Sequence, residues 1–150
     1  MASQSLITEE LKKVIGVPTE PTVIEIDKSA IARFCEAIGD SNPMWLDEDY
    51  ARCRRNGGAV APPTFLAAAR MRGIRPTVPH GLKRVLDGGG EWEFYRPVRP
   101  GDVLTVTSKV ADLTEREGKM GRMLFTVTET VWKNQGNELV AKARSTSINY

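Results

Sequence analysis

The chain has one histidine and two cysteines among its 150 residues. A zinc site needs several clustered thiolate or imidazole ligands, and His80, Cys35 and Cys53 are scattered singly, so no metal is expected. Two cysteines are also too few for a disulfide framework. Nothing near Met1 joins a basic start to an apolar stretch and a small-residue cleavage site, so the expected compartment is the reducing cytoplasm. Long hydrophobic runs are missing as well. The longest is Phe65–Ala69, against the roughly 20 residues that cross a bilayer, and neither a membrane span nor a lipid anchor is expected. Charge of one sign is lacking too: 21 Lys+Arg against 19 Asp+Glu leave +2, too balanced for a protein that binds nucleic acid by neutralising phosphates. Gly88-Gly89-Gly90 has none of the spacings that wrap backbone N–H groups around a phosphate. It is read instead as giving a strand room for a close neighbour or ligand.

What remains is an ordinary globular composition, 41% hydrophobic and 27% charged, in a length that suits one domain. Residues 1–21 read as an N-terminal arm or short helix around Leu6, Leu11, Val14 and Ile15, ending at Pro18 and Pro21, and 22–150 as the domain proper. Thr22–Ile26 is β-branched and predicts a strand, with Asp27 placed to cap a helix. Ile31, Phe34, Cys35 and Ile38 then fall on one face of a helix over 29–38, closed by Gly39. Asp47–Arg55 predicts another turn or two. After Ala61-Pro62-Pro63, a short helix over 64–72 carries apolar or small residues on nearly every face, which predicts burial, and Gly73 ends it. Residues 74–90 read as a covering loop entering a strand.

From Glu91 the period changes to two. Trp92 and Phe94 alternate with glutamates, Leu104, Val106, Ser108 and Val110 share a face, and so do Met123, Phe125, Val127 and Val131. Turns at 99–102, 117–119 and 134–137 separate these strands from a last one near Glu138–Ile148. Short connections mean antiparallel neighbours, so the fold class is α+β.

Three segments carry more than structure. Gly39-Asp40-Ser41-Asn42-Pro43-Met44-Trp45 is by itself a turn rich in local side-chain hydrogen bonds. It also resembles the Gly-Asp-x-Asn-Pro-x-His signature of the MaoC-like (R)-specific enoyl-thioester hydratases and dehydratases. Ala61-Pro62-Pro63-Thr64-Phe65-Leu66 is similar to the start of that family's central helix, and Phe94–Asp102 to its strand-and-turn element. All three stand in the family's order, across roughly residues 22–148, and the closest likeness is to the N-terminal-type MaoC dehydratase domains.

The resemblance implies a hot-dog fold, a curved antiparallel sheet wrapped around one helix and paired as a double hot-dog. It implies an acyl thioester of coenzyme A or acyl-carrier protein as ligand, and no cofactor. In the family the signature's Asp and His activate a water that adds across a trans-2-enoyl thioester, while N–H groups at the central helix start hold the thioester oxygen. Carried over, Asp40 is the catalytic candidate with Asn42 supporting it, and Pro63, Thr64 and Phe65 are substrate-binding candidates.

The family's histidine position holds Trp45, whose indole N–H only donates and does not titrate near neutrality. Three readings follow. The chain is the His-less subunit shaping an acyl pocket beside a His-bearing MaoC-like partner; or a self-sufficient hydratase or 3-hydroxyacyl dehydratase using Asp40; or a thioesterase or acyl-binding hot-dog protein. Arg52, Arg54 and Arg55 read either as a solvated helix end or as a landing site for carrier phosphates, the latter making Arg54 and Arg55 substrate-binding candidates. His80 reads as a solvated loop residue, with the role of a base as its alternative. Phe65, Trp92 and Phe94 read as core packing or as the wall of an acyl tunnel.

Overall fold

Two chain segments decide how the sheet begins. In the computed structural model, which describes residues 5–54, 57–69, 75–119 and 121–150, the β-branched run Thr22–Glu25 forms β1. Asp27 then turns the chain: its Oδ1 accepts from the Ser29 amide at 2.7 Å, the N-cap bond that starts α2, Lys28–Ile38. Such a cap stabilises a helix by about 1 kcal/mol. Gly39, at φ 69°, closes α2 in the left-handed conformation. The inward face of α2 is Ile31 and Cys35, both buried, with Phe34 half-buried. Ile38, expected on that face, is 51% exposed, because the helix ends there and leaves the sheet.

Four further strands follow: β2, Val85–Phe94; β3, Val103–Gly118; β4, Gly121–Lys133; and β5, Leu139–Asn149. With β1 they make one antiparallel sheet in the order β1-β3-β4-β5-β2. This is the expected α+β class, a curved five-strand antiparallel sheet with few helices. Helix α4, Phe65–Ala69, packs with α2 on its inner surface through Phe65, Leu66 and Ala69. Burial of α4 is one-sided, since Thr64, Ala67 and Ala68 are exposed; positions 70–72 of the expected helix and the Gly73 expected to end it lie outside the described residues. The main core joins Ile26, Ile31, Phe65 and Leu66 to Leu104, Val106, Trp132 and Val140. Burying each such aliphatic side chain stabilises the fold by about 1.5–3 kcal/mol.

A second cluster closes the far end of the sheet. Helix α1, Glu9–Lys13, puts Leu11, 1% exposed, against Val110, Leu113 and Leu124, with Val78 and Leu82 beside them. The chain then runs along β3, with Gly16 N–H donating to Val110 O at 2.8 Å and Thr19 N–H to Ser108 O at 2.7 Å. That edge of the sheet is covered. The edge formed by β2 pairs only with β5 among the described residues.

Two details of β2 and β4 differ from expectation. The glycine run lies inside β2, not ahead of it, at a bulge between Asp87 and Gly90 where Gly89 takes φ 94°. A Cβ on Gly88 would stand 3.1 Å from Thr146 O and one on Gly90 3.1 Å from Arg144 O, so the run does give a close neighbour room. In β4, Met123, Phe125, Val127 and Val131 do share a face, but the buried face is the other one, Leu124, Thr126, Thr130 and Trp132.

Candidate functional site

The loop after α2 is held by its own side chains. Asp40 Oδ1 accepts from the Asn42 amide at 3.0 Å, and Asn42 Oδ1 from the Met44 amide at 3.0 Å. The other oxygen of Asp40, Oδ2, accepts from Trp45 Nε1 at 2.9 Å. Asp40, Asn42 and Trp45 are thus brought together. Trp45 reaches back across the loop to the carboxylate, and its ring packs on the main core. The Asp40 charge and burial together push the Cys35 thiol up, burial first, so Cys35 stays a neutral packing group.

Helix α3, Glu48–Arg52, follows, capped by Asp47. Glu48 ties it to the next segment, accepting from the Ala59 amide at 3.0 Å, and this bond with the Arg52 guanidinium holds its carboxyl below the usual range. Ala61 N–H donates to Val98 O at 2.7 Å and Val60 N–H to Met44 O at 3.3 Å. Residues 59–61 are thereby pinned between the Trp45 loop and the strand-and-turn element, which fixes where α4 begins. Gly58 takes φ 146°, and a Cβ there would lie 2.9 Å from Glu48 Oε1, so a side chain would have to displace that carboxylate.

The result is a cavity of about 300 Å³ walled by Trp45, Pro62, Pro63, Leu66, Phe94 and Tyr95. Pro63 lines it. Phe65 does not: its ring sits in the core, edge-on to Phe34 at 5.6 Å, and Leu66 takes the wall position. Thr64, next to Pro63 in the chain, is exposed and is not part of the wall. The Phe65 and Leu66 amides donate to the Pro62 and Pro63 carbonyls, whereas the Thr64 N–H makes neither bond. Phe94, read as core or as the wall of an acyl tunnel, is 45% exposed, lines this cavity and stacks on Trp92 at 5.7 Å. Trp92 in turn stacks on Trp132 at 5.0 Å, across the small Ala141 and Ala143 of the intervening β5.

The basic cluster is engaged locally. Arg52 pairs with Glu48 at 3.2 Å, and Arg54 lies over the Tyr50 ring at 4.8 Å and donates to its hydroxyl at 3.0 Å. Arg55 lies outside the described residues. His80 is half-buried in its loop, its Nδ1 accepting from the Leu82 amide at 3.0 Å, and it lines neither this cavity nor the one described below. Sequence reasoning did not assign the cavity wall at Tyr95 and Pro97. Both belong to the strand-and-turn segment Phe94–Asp102, whose motif carries the signal.

Comparison with known proteins matches the family model described as "FAS1-like, dehydratase domain region" over residues 13–143. The chain belongs to the FAS1-like dehydratases, a MaoC-like hot-dog family. A UPF0336 protein of Streptomyces avermitilis is 36% identical over 106 residues, 67% of this chain and 69% of that protein. A Thermomonospora curvata protein named "Probable enoyl-CoA hydratase alpha subunit" is 33% identical over 132 residues, 76% of this chain and 41% of that one. Among solved structures, the ChsH1-ChsH2 complex from Mycobacterium tuberculosis superposes with a TM-score of 0.81 at 23% identity, covering 95% of this chain and 89% of that one, a likeness of fold. The MaoC-like dehydratase from Rhodospirillum rubrum gives 0.73 at 25% identity, covering 91% and 92%. Among the described residues of this FAS1-like dehydratase, no helix is long and apolar enough to cross a membrane.

Proposed function

We propose that the chain is the His-less component of an enoyl-thioester hydratase or dehydratase, shaping the acyl pocket beside a His-bearing MaoC-like partner. The observation that carries this reading is the 2.9 Å bond from Trp45 Nε1 to Asp40 Oδ2. Hydration of a trans-2-enoyl thioester adds the water oxygen to C3 with one of its hydrogens, while a general base takes the other proton and an acid returns one to C2. Here the family's imidazole is replaced by a donor that cannot accept that proton, and the donor occupies the carboxylate oxygen beside it. Base chemistry therefore falls to the partner. The relative named as an alpha subunit, and the complexes of two hot-dog proteins among the structural neighbours, support a heteromer.

This chain contributes binding. The cavity between Trp45, Pro63 and Leu66 suits the apolar part of a thioester, and the unengaged Thr64 N–H is its candidate donor to the thioester oxygen. Exposed Arg54, with Arg55 next to it in sequence, is the candidate contact for carrier phosphates. Loss of a general base removes on the order of 10²–10⁴ in rate, so the purified chain should hydrate crotonyl-coenzyme A near background, and adding a His-bearing MaoC-like chain should restore turnover. An ordinary enzymatic rate from the chain alone, unchanged in Trp45→Phe, overturns the reading.

A further inference from the structure

The inner surface of the sheet changes character part-way along. Near α2 and α4 it is apolar, with Leu104, Val106, Trp132, Ala141 and Ala143. Beyond Trp132 hydroxyls enter the inward face, mostly on β4 and β5, beside the apolar Val110 and Leu113 of β3. Ser108 on β3 faces Thr130 on β4, and Thr128 and Thr126 on β4 face Ser145 and Ser147 on β5. Val would fill these β positions as well as Thr does and would bring no polar atom into the interior. Ser108 and Thr130 satisfy each other at 2.8 Å, but Thr126 Oγ1 is buried with no hydrogen-bond partner, in a residue only 3% exposed. A polar group buried in this way is unfavourable unless something else uses the surface it belongs to.

A cavity of about 440 Å³ opens against this surface, roofed by Ala67 of α4 and walled by Thr128, Ser147, Trp92 and the bulged Gly89 and Gly90. Its lining comes from the same two elements as the Trp45 cavity, Ala67 following Leu66 on α4 and Trp92 two residues before Phe94 on β2. The glycine bulge adds backbone in place of side chains at one wall. A cavity built for a plain alkyl chain gains nothing from hydroxyls, whereas one that must seat an oxygen in the chain needs donors and acceptors fixed on rigid strands.

We propose that this second cavity receives the distal part of an acyl chain that carries a hydrogen-bonding oxygen, recognised by Thr128 and Ser147. The proposal rests on the acyl-thioester reading above and names its substrate class: an oxygenated acyl group in preference to an unsubstituted one. The test is calorimetric titration of the purified full chain with octanoyl-coenzyme A and with a series of hydroxyoctanoyl-coenzyme A thioesters bearing the hydroxyl beyond C3, followed in parallel by tryptophan fluorescence.

At least one hydroxy isomer is expected to bind about three- to tenfold tighter than octanoyl-coenzyme A, the range of one or two net hydrogen bonds. Thr128→Val and Ser147→Ala, made separately so that either can serve if the other folds poorly, should each shrink that ratio toward one by weakening the hydroxy isomer. Octanoyl-coenzyme A binding as tightly as every isomer, or a preference that survives both substitutions, overturns the proposal and leaves the acyl-thioester reading standing. Failure of all the thioesters to bind brings down both.

Discussion

Trp45 and Asp40, five positions apart in one loop, are joined by a side-chain hydrogen bond of 2.9 Å from indole nitrogen to carboxylate oxygen. The same carboxylate caps the Asn42 amide, so both of its oxygens serve the loop. Trp45→Phe keeps an aromatic wall on the cavity and removes the donor. It should lower stability by about 1 kcal/mol in urea unfolding, the typical net value of a hydrogen bond. Combining it with Asp40→Asn should cost less than the two single changes added together, since each removes the same bond. Strict additivity would mean that the bond contributes nothing to the fold.

The bulge in β2 makes a separate claim about shape. Gly88→Ala would press a methyl to 3.0 Å from Thr146 Cγ2 and 3.1 Å from its carbonyl oxygen, and the latter cannot move without the ladder. The expected cost is about 1–3 kcal/mol, the range for overpacking. Gly89→Ala meets open space and is strained only by its φ of 94°, so it should cost about 1–2 kcal/mol. A Gly88→Ala protein with an unchanged urea midpoint would show that the strand can slide at the bulge.

Glu115 fastens the N-terminal arm. Its carboxylate accepts from Arg122, from Ser5 Oγ at 2.8 Å and from the Leu6 amide at 2.8 Å, and these partners, Arg122 first, hold its pKa below the ordinary 4.5. A carboxyl depressed in the folded state stabilises it above the unfolded pKa, and that contribution is lost as pH falls through the lower folded value. Amide exchange at Leu6 and Leu11 should therefore accelerate below about pH 4, with Val106 little affected. Glu115→Gln should already exchange fast at neutral pH and lose this acid dependence. Equal pH profiles in parent and variant would detach the arm from Glu115.

Trp132 is fully buried and stacked on Trp92, yet its Nε1 has no hydrogen-bond partner. Two effects oppose each other in Trp132→Phe: ring area is lost, and an unsatisfied donor is removed. The net cost should be about 1–2 kcal/mol, well below the 3–5 kcal/mol of Trp132→Ala, where a cavity is left behind. Equal losses in the two variants would mean that the ring's stacking on Trp92 contributes little.

Periodicity made much of this legible. Ile31 and Cys35 face the core because their spacing puts them on one side of α2, and Leu104 to Val110 alternate because β3 has one buried face. The Trp45 loop was visible as a string of turn formers. Other features depend on pairing between strands, which one strand's pattern does not contain. In β4 the apolar Met123, Phe125 and Val127 look like the core face, but register with β3 turns Leu124, Thr126 and Thr130 inward. The glycines of β2 read as a loop because a bulge exists only relative to β5. Phe65 was placed in the site and Leu66 was not, since one residue of helix rotation decides which points at the cavity.

One edge of the sheet, β2, has no second neighbour among the described residues. The β1 and β3 side of the sheet is closed by residues 15–25, whereas β2 offers ten residues of backbone with Val85, Leu86 and Phe94 exposed along it. Open edges of this length invite another strand, and natural proteins protect them with charge, proline or a partner. Pairing there would extend the sheet across two hot-dog units and would bring a second chain beside the Phe94 and Tyr95 wall of the Trp45 cavity. Light scattering should find a dimer of this chain at micromolar concentration, or a heterodimer once a His-bearing MaoC-like chain is added. Val85→Lys with Leu86→Lys places a cation on each face of the edge and should weaken that association at least about tenfold, by about 1.4 kcal/mol or more, while leaving the circular dichroism of the sheet unchanged. A parent chain that stays monomeric alone and in the mixture would remove the shared pocket, and with it the argument that a partner supplies the base that Trp45 cannot.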